Sequence, residues 1–215
     1  MNFTIFEGEQ RSPEWFSARC GRLTGSRAGD MLATIGKGEA AARRDLRAQL
    51  VVERLTGTPQ EDGYINAVMQ RGIDKEPEAF GAYEAFSGNL VRRTGFLSHS
   101  SLMVGCSLDG DVDNFTGIIE VKCPKSATHI EYLKAGNRIP SRHVPQITHN
   151  LWVTGAQWCD FVSFDDRLPE GGQLVVLRVE RDEAAIAAYE LAVSLFLSEV
   201  DKEVEAVRSI IQKAA

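Results

Sequence analysis

Cysteine is scarce in this 215-residue chain and never clusters. Cys20, Cys106, Cys123 and Cys159 form no CxxC pair, which argues against a zinc site or disulfide scaffold and for reduced, mostly buried thiols in a cytosolic protein. No apolar run approaches the ~20 residues of a membrane span. The opening "MNFTIFEGEQ" carries Glu7 and Glu9 and no apolar core, so it does not read as a signal peptide. "GKGEA" lacks the GxxxxGK[ST] spacing of a phosphate-cradling loop, and His143 and His149 are not an HExxH pair. His99 and His129 have no evident partner. No repeat, low-complexity tract or linker divides the chain, and 43% hydrophobic content supports one domain over 1–215.

A positive balance is lacking too. The net charge is −6, which taken alone argues against a nucleic-acid partner. The distribution is uneven, however. Residues 1–60 hold 9 Lys and Arg against 7 Asp and Glu, whereas residues 181–215 hold 4 against 7. Basic side chains gather at Arg19, Arg22 and Arg27, at Arg43, Arg44 and Arg47, and at Arg92 and Arg93. Solvated helix faces and local anion-binding patches both remain open readings.

What is present is an α/β pattern. Short N-terminal helices are expected in "PEWFSARC" and "SRAGDMLATI", then a Gly36-Lys37-Gly38 loop. A helix with Leu46, Leu50, Val51 and Leu55 on one face ends at Gly57. Helical pattern runs from about 64 to 86, with Pro77 expected to interrupt it. Strand-like runs occupy 89–98, 102–108 and 116–123. A helix over 141–154 and strands in "QWCDFVSFDD" and "QLVVLRVERD" follow. The last helix carries Ile186, Tyr189, Val193, Phe196, Val200, Val204, Val207 and Ile211 as a core-facing stripe.

One strand breaks the apolar rule. "GIIEVKC" places Glu120 and Lys122 inside a run that otherwise reads as buried, on the same face and about 7 Å apart along the strand. A buried Glu–Lys pair is costly unless further charges compensate. Asp109 ends the preceding strand-like run, and a hairpin through "DGDVDNFTG" would set it beside Glu120. Two carboxylates and a lysine on adjacent strands make a site for a hard cation such as Mg²⁺, with Lys122 at its edge to orient a water or offset developing charge. The bland alternative is a surface hairpin with one ion pair. Asp111 and Asp113 read as solvated turn residues, and the offsets exclude an EF-hand.

"CSLDGDV…GIIEVKCP" resembles the D…ExK core of the PD-(D/E)xK nuclease superfamily, with Leu108 where that name has Pro. More closely, the chain resembles the lambda-type phage exonucleases. "WFSARCGRLTGSRAGDML", "RGIDKEPEAFGAYEAFSG", "CSLDG", "EVKCP", "QITHNLWVTG" and "VVLRVERDE" occur in that family's order. The resemblance implies a restriction-endonuclease-like core, a central mixed sheet flanked by helices. It implies a nuclease that digests one strand of linear double-stranded DNA 5′→3′ and leaves 3′ tails for recombination by annealing. A ring-shaped homotrimer, a single-strand annealing protein as partner and work in the cytoplasm of a bacterial host cell come with it.

Residue by residue, Asp109, Glu120 and the carbonyl of Val121 match the family's metal ligands, for two Mg²⁺ ions or for Mn²⁺. Lys122 matches its catalytic lysine, Glu76 its helical acid, and Gln146 a glutamine near the active centre that could equally be a polar residue beside an apolar face. Arg19, Ser26 and Ser107 match a pocket for the 5′-terminal phosphate, although Thr24 and Ser26 would also suit helix capping. Met69 matches an apolar side chain wedged into the duplex end, where core packing is the alternative. The 34–44 loop is where the family reaches toward DNA. Two other readings stay open: a restriction-like endonuclease with the same core, and a catalytically silent DNA-binding module.

Overall fold

The run holding Glu120 is a strand, Gly117–Lys122, buried at every residue but Lys122. The structure, a computed structural model, describes residues 3–60 and 64–214. In chain order the elements are β1 (Phe3–Phe6), α1 (Pro13–Arg19), β2 (Leu23–Thr24), α2 (Ala28–Met31), β3 (Thr34–Ile35), β4 (Gly38–Glu39) and α3 (Ala41–Thr56). Then come α4 (Ala67–Ser87), β5 (Val91–Arg92), β6 (Phe96–His99), β7 (Val104–Ser107), β8 (Gly110–Val112), β9 (Gly117–Lys122) and α5 (Ser126–Ala135). The chain closes with α6 (Val144–Thr154), β10 (Trp158–Phe164), β11 (Leu174–Glu180) and α7 (Glu183–Ala214).

Five strands form a mixed sheet in the order β11-β10-β9-β8-β5. Within this sheet only β9 and β10 run parallel, and α5 and α6 supply the crossover that a parallel pair requires. A second sheet has the order β1-β6-β7-β2. Side chains alternate along β9. Ile118 joins a large core with Ile147, Leu151, Phe161, Val193 and Phe196, whereas Ile119 and Val121 meet Ala79, Phe80 and Tyr83 of α4. The sheet is thus covered on one face by α6 and α7 and on the other by α4. Each fully buried aliphatic side chain in this layering contributes roughly 1.5–3 kcal/mol. The four thiols are free, and three of them are buried.

The hairpin expected around Asp109 forms, but it contains a strand. β8 pairs with β9 from Gly110 opposite Ile119 to Val112 opposite Gly117. The tip, Asp113, Asn114 and Phe115, is left-handed at three successive residues. Asp111 is therefore not a solvated turn residue: it is 1% exposed, bound by Arg92 at 2.8 and 3.2 Å, and accepts the Phe115 N–H. Asp113 is exposed, as expected. The 89–98 run divides between β5 and β6, which belong to different sheets.

Pro77 does not interrupt its helix. α4 runs on through it, held by an Asn66 cap that accepts two N–H bonds and by left-handed Gly88 at the far end. Packing of Phe80 and Tyr83 outweighs the single hydrogen bond that a proline removes. The helix expected over 26–35 shrinks to α2, because residues 34–39 turn back as the β3–β4 hairpin with Gly36 left-handed. The chain has no helix among the described residues that is long and apolar enough to cross a membrane.

Candidate active site

The site grows from the ends of β8 and β9. Asp109 sits just before β8, and its Oδ2 accepts the Val121 N–H at 2.6 Å. That bond joins the two strands beyond their last ladder pair. Glu120 and Lys122, on one face of β9 as their spacing predicts, are ion-paired. The second Glu120 oxygen accepts from Asn150 Nδ2 on α6 at 3.2 Å. Lys122, Val121, Asp109 and, from α4, Glu76 line one side of a cleft of about 1010 Å³. Arg93 approaches Glu76 to 3.4 Å across it.

Electrostatics follow from this burial. The Asp109 carboxyl is raised above the usual carboxylate range by burial, against the opposing pull of Lys122, the Val121 N–H and Arg93. Glu120 is raised as well, by burial, and the Asp109 charge adds to that while Lys122 opposes it. Glu76 is raised by burial and then by the Asp109 charge. Lys122 moves up too: burial works against its charge, but Glu120 and Asp109 outweigh burial and keep it protonated. Glu120 lies deeper, at 1% exposure against 31% for the lysine side chain, so burial costs it more than its partner returns.

The arrangement is a set of carboxylates raised by burial, in which the Asp109 charge raises both Glu120 and Glu76 further, and which one ammonium only partly neutralises. Oxygen donors alone, without thiol or imidazole, fit a hard divalent cation such as Mg²⁺ or Mn²⁺ and not zinc. Asp109, Glu120, Glu76 and the Val121 carbonyl are the groups that could hold it. Among the described residues no three His, Cys, Asp or Glu side chains already converge into a metal-ready cluster. In the conformation seen, Lys122 holds the Glu120 carboxylate and takes the counter-charge position.

The residues assigned to phosphate binding meet elsewhere. Arg19, Ser26, Ser107 and Gln146 line a second cavity of about 380 Å³. Arg19 stacks over the Trp15 ring at 4.0 Å, and its Nη1 approaches Ser107 Oγ at 3.4 Å. Ser26 caps no helix. Neither Thr24 nor Arg27 makes a side-chain cap bond, and Ser26 Oγ lies 3.3 Å from Thr24 Oγ1. Met69 is 41% exposed, so it is not core, and it lines both cavities. Gln146 thus sits with Arg19, Ser26 and Ser107 rather than among the acids.

Sequence reasoning overlooked one group at the cleft. Tyr132 of α5 lies 2.9 Å from His143 Nε2, and Arg142 donates to both. Burial pushes His143 down to about 4, with Lys122 and Arg142 adding to the effect, so it is a neutral acceptor. The basic "SRH" before α6 was the available signal. His129 is likewise not without partners: it lies 2.7 Å from Ser163 Oγ and 2.9 Å from the Gly172 carbonyl. His99 Nδ1 accepts the Ser101 and Leu102 N–H groups.

The mixed sheet flanked by helices, with an Asp and an Ile-Glu-Val-Lys strand at its end, has the fold of the PD-(D/E)xK nucleases. The chain belongs to the YqaJ-like viral recombinase family, whose domain model matches residues 14–157, and with that membership comes a nuclease role. It is similar over 95% of its length to LHK-Exo, an alkaline exonuclease from Laribacter hongkongensis, at 42% identity and a TM-score of 0.86, with all of that chain covered. A structure of LHK-Exo in complex with dAMP matches at 41% identity, with the same coverage and TM-score. A phage-related exonuclease from Haemophilus somnus 129PT, 15% identical, shares the fold at a TM-score of 0.65 over 86% of this chain and 96% of its own. A search of curated proteins returns no match.

Proposed function

We propose that the chain is a metal-dependent exonuclease that hydrolyses one strand of linear double-stranded DNA from a 5′-phosphorylated end, leaving 3′ tails for recombination by strand annealing. One observation carries this reading: the acids with Lys122 and the cavity with Arg19, Ser26 and Ser107 are neighbours that share Met69 and Arg11 as lining. A terminal phosphate held in the second cavity would leave the next phosphodiester near the acids. Arg19 suits such capture, because a guanidinium forms bidentate bonds to phosphate, and the two hydroxyls add neutral donors.

Asp109, Glu120, Glu76 and the Val121 carbonyl would hold Mg²⁺ or Mn²⁺, with two ions the number implied by the lambda-type resemblance. A bound cation of this kind polarises the phosphodiester and lowers the pKa of a water. Lys122, kept protonated by its carboxylate neighbours, acts as a donor and not as a base. It orients a water or stabilises charge developing on the phosphate. Gln146, close to the phosphate-pocket residues, would orient the end. The lambda-type resemblance adds a ring-shaped homotrimer, an annealing protein as partner, a single nuclease domain and work in the bacterial cytoplasm.

Digestion of end-labelled duplexes tests the reading. With Mg²⁺ the linear duplex should release nucleotides from its 5′ ends, and EDTA should stop it. A 5′-hydroxyl end should react about ten- to a hundredfold more slowly, the equivalent of losing one charge-assisted hydrogen bond. Cutting of a covalently closed duplex at a comparable rate would instead favour an endonuclease.

A further inference from the structure

Arg11 occupies a place that an arginine should avoid. It is the third residue of a turn closed by the Ser12 N–H on the Glu9 carbonyl, and its φ is +70°. Turns of this kind call for Gly or Asn there, because a Cβ is strained in the left-handed region. The turn is well anchored on both sides. Gln10 reaches the Leu108 carbonyl, immediately before Asp109, and Ser12 caps α1 by accepting the Trp15 N–H. Strain that the surroundings hold in place collects at functional sites.

The side chain is equally unusual. It is exposed, and it lines both the acid cleft and the cavity of Arg19, Ser26 and Ser107. Other cleft arginines are engaged: Arg93 with Glu76, Arg142 with Tyr132 and His143. Arg11 makes no hydrogen bond or ion pair among the described residues, although its charge reaches Glu76 and helps keep that carboxylate ionised. A guanidinium without an ion pair, at the junction of the acid cleft and the cavity of Arg19, retains its charge for a ligand.

We propose that Arg11 binds a backbone phosphate of the DNA strand where it passes from the terminal-phosphate cavity to the acids, and so positions the end for cutting. The assignment rests on the function proposed above and extends it to a residue outside the acids and the phosphate pocket. Arg is the fitting side chain, since its planar fork matches phosphate geometry and its charge persists at all working pH.

The test reads binding apart from cutting. Anisotropy of a 3′-labelled, 5′-phosphorylated duplex in EDTA, titrated over salt, should show a salt slope smaller by about one in Arg11→Gly, with affinity about tenfold weaker. Arg11→Lys should keep the slope. With Mg²⁺, KM of Arg11→Gly should rise more than kcat falls. Arg11→Gly should melt no lower than wild type, because glycine takes this φ without strain, and Arg11→Asn provides a second left-handed-tolerant variant with the same expected slope. An unchanged slope and KM in both variants would overturn the assignment. Failure of the wild type to cut DNA would strike the proposed function instead, since the binding arm needs no cation and still reads Arg11.

Discussion

In the proposed mechanism Lys122 supplies charge and Asp109 ligates the cation. The lysine ammonium sits against Glu120, and the carboxylate of Asp109 joins β8 to β9 through the Val121 N–H. Lys122→Ala should lower the cutting rate by roughly 10²–10³-fold, the range for loss of one transition-state donor, and Asp109→Ala, which removes a proposed cation ligand, should abolish cutting. The two should differ in metal binding. Calorimetric titration with Mg²⁺ should find it largely retained in Lys122→Ala and weakened in Asp109→Ala. Near wild-type turnover in the Lys122 variant would remove the lysine from the chemistry. The D…ExK spacing was legible because charge in a buried strand contradicts ordinary patterning. Arg11 was not, since φ cannot be read from a residue name.

At the scale of elements, α6 is the joint between the site and the core. Its His149 is fully buried, 2.7 Å from the Tyr189 hydroxyl of α7 and 3.0 Å from the Gly105 carbonyl of β7. Burial pushes the imidazole down to about 4 from 6.5, against a small opposing effect of the Gly105 bond. The folded protein therefore holds it neutral, whereas the unfolded chain takes up the proton first as pH falls. Its contribution is fully present above about pH 6.5 and is lost on acidification toward about pH 4, roughly 3 kcal/mol over the window. Thermal melts across that range should show a steeper acid loss in wild type than in His149→Gln. Parallel curves would mean that His149 is not the titrating group.

Pro77 sets a second element-scale expectation. It leaves the Ile73 carbonyl without its helical donor, one turn before the cleft residue Glu76. Pro77→Ala should restore that bond and raise stability by about 1–3 kcal/mol, a gain of several degrees in Tm. A Tm equal to or below wild type would show that the helix has already absorbed the proline. The helix expected to break here did not, because a proline removes one bond while cap and core packing act over the whole length of α4. α5 was missed altogether, although Gly136 ends it. Its apolar positions are too few to give a clear period.

For the whole molecule, charge placement matters more than its sum. The arginine cluster on α3 does not form an anion patch. Arg43 and Arg47 pair with Glu39, Glu199 and Glu203 and tie α3 and the β3–β4 hairpin to α7. At the cleft, Arg11, Arg93, Lys122 and Arg142 stand against Glu7, Glu9, Glu76 and Asp109, so the two signs are matched there. A ring-shaped homotrimer belongs to the proposed function. Light scattering should then give about three times the 23.7 kDa chain mass. A monomer at micromolar concentration that stays active and processive would remove the ring from the proposed function.

Sequence alone determined the mixed α/β class, the stripe of α7 as far as Val204 and the acids with their lysine, since each depends on the order and spacing of residues within one or two neighbouring elements. Ile211, expected in that stripe, is exposed because α7 runs on past the core. Tertiary structure decided what lies between distant segments. It buried Asp111 against Arg92, neutralised the α3 arginines through α7, and set Tyr132 and His143 beside the cleft. It also put Arg19, Ser26, Ser107 and Gln146, drawn from three separate stretches of chain, around one cavity. Periodicity reports which face of an element is apolar. Only the packed sheet, through its strand order and register, decides which polar groups from far along the chain share the remaining space.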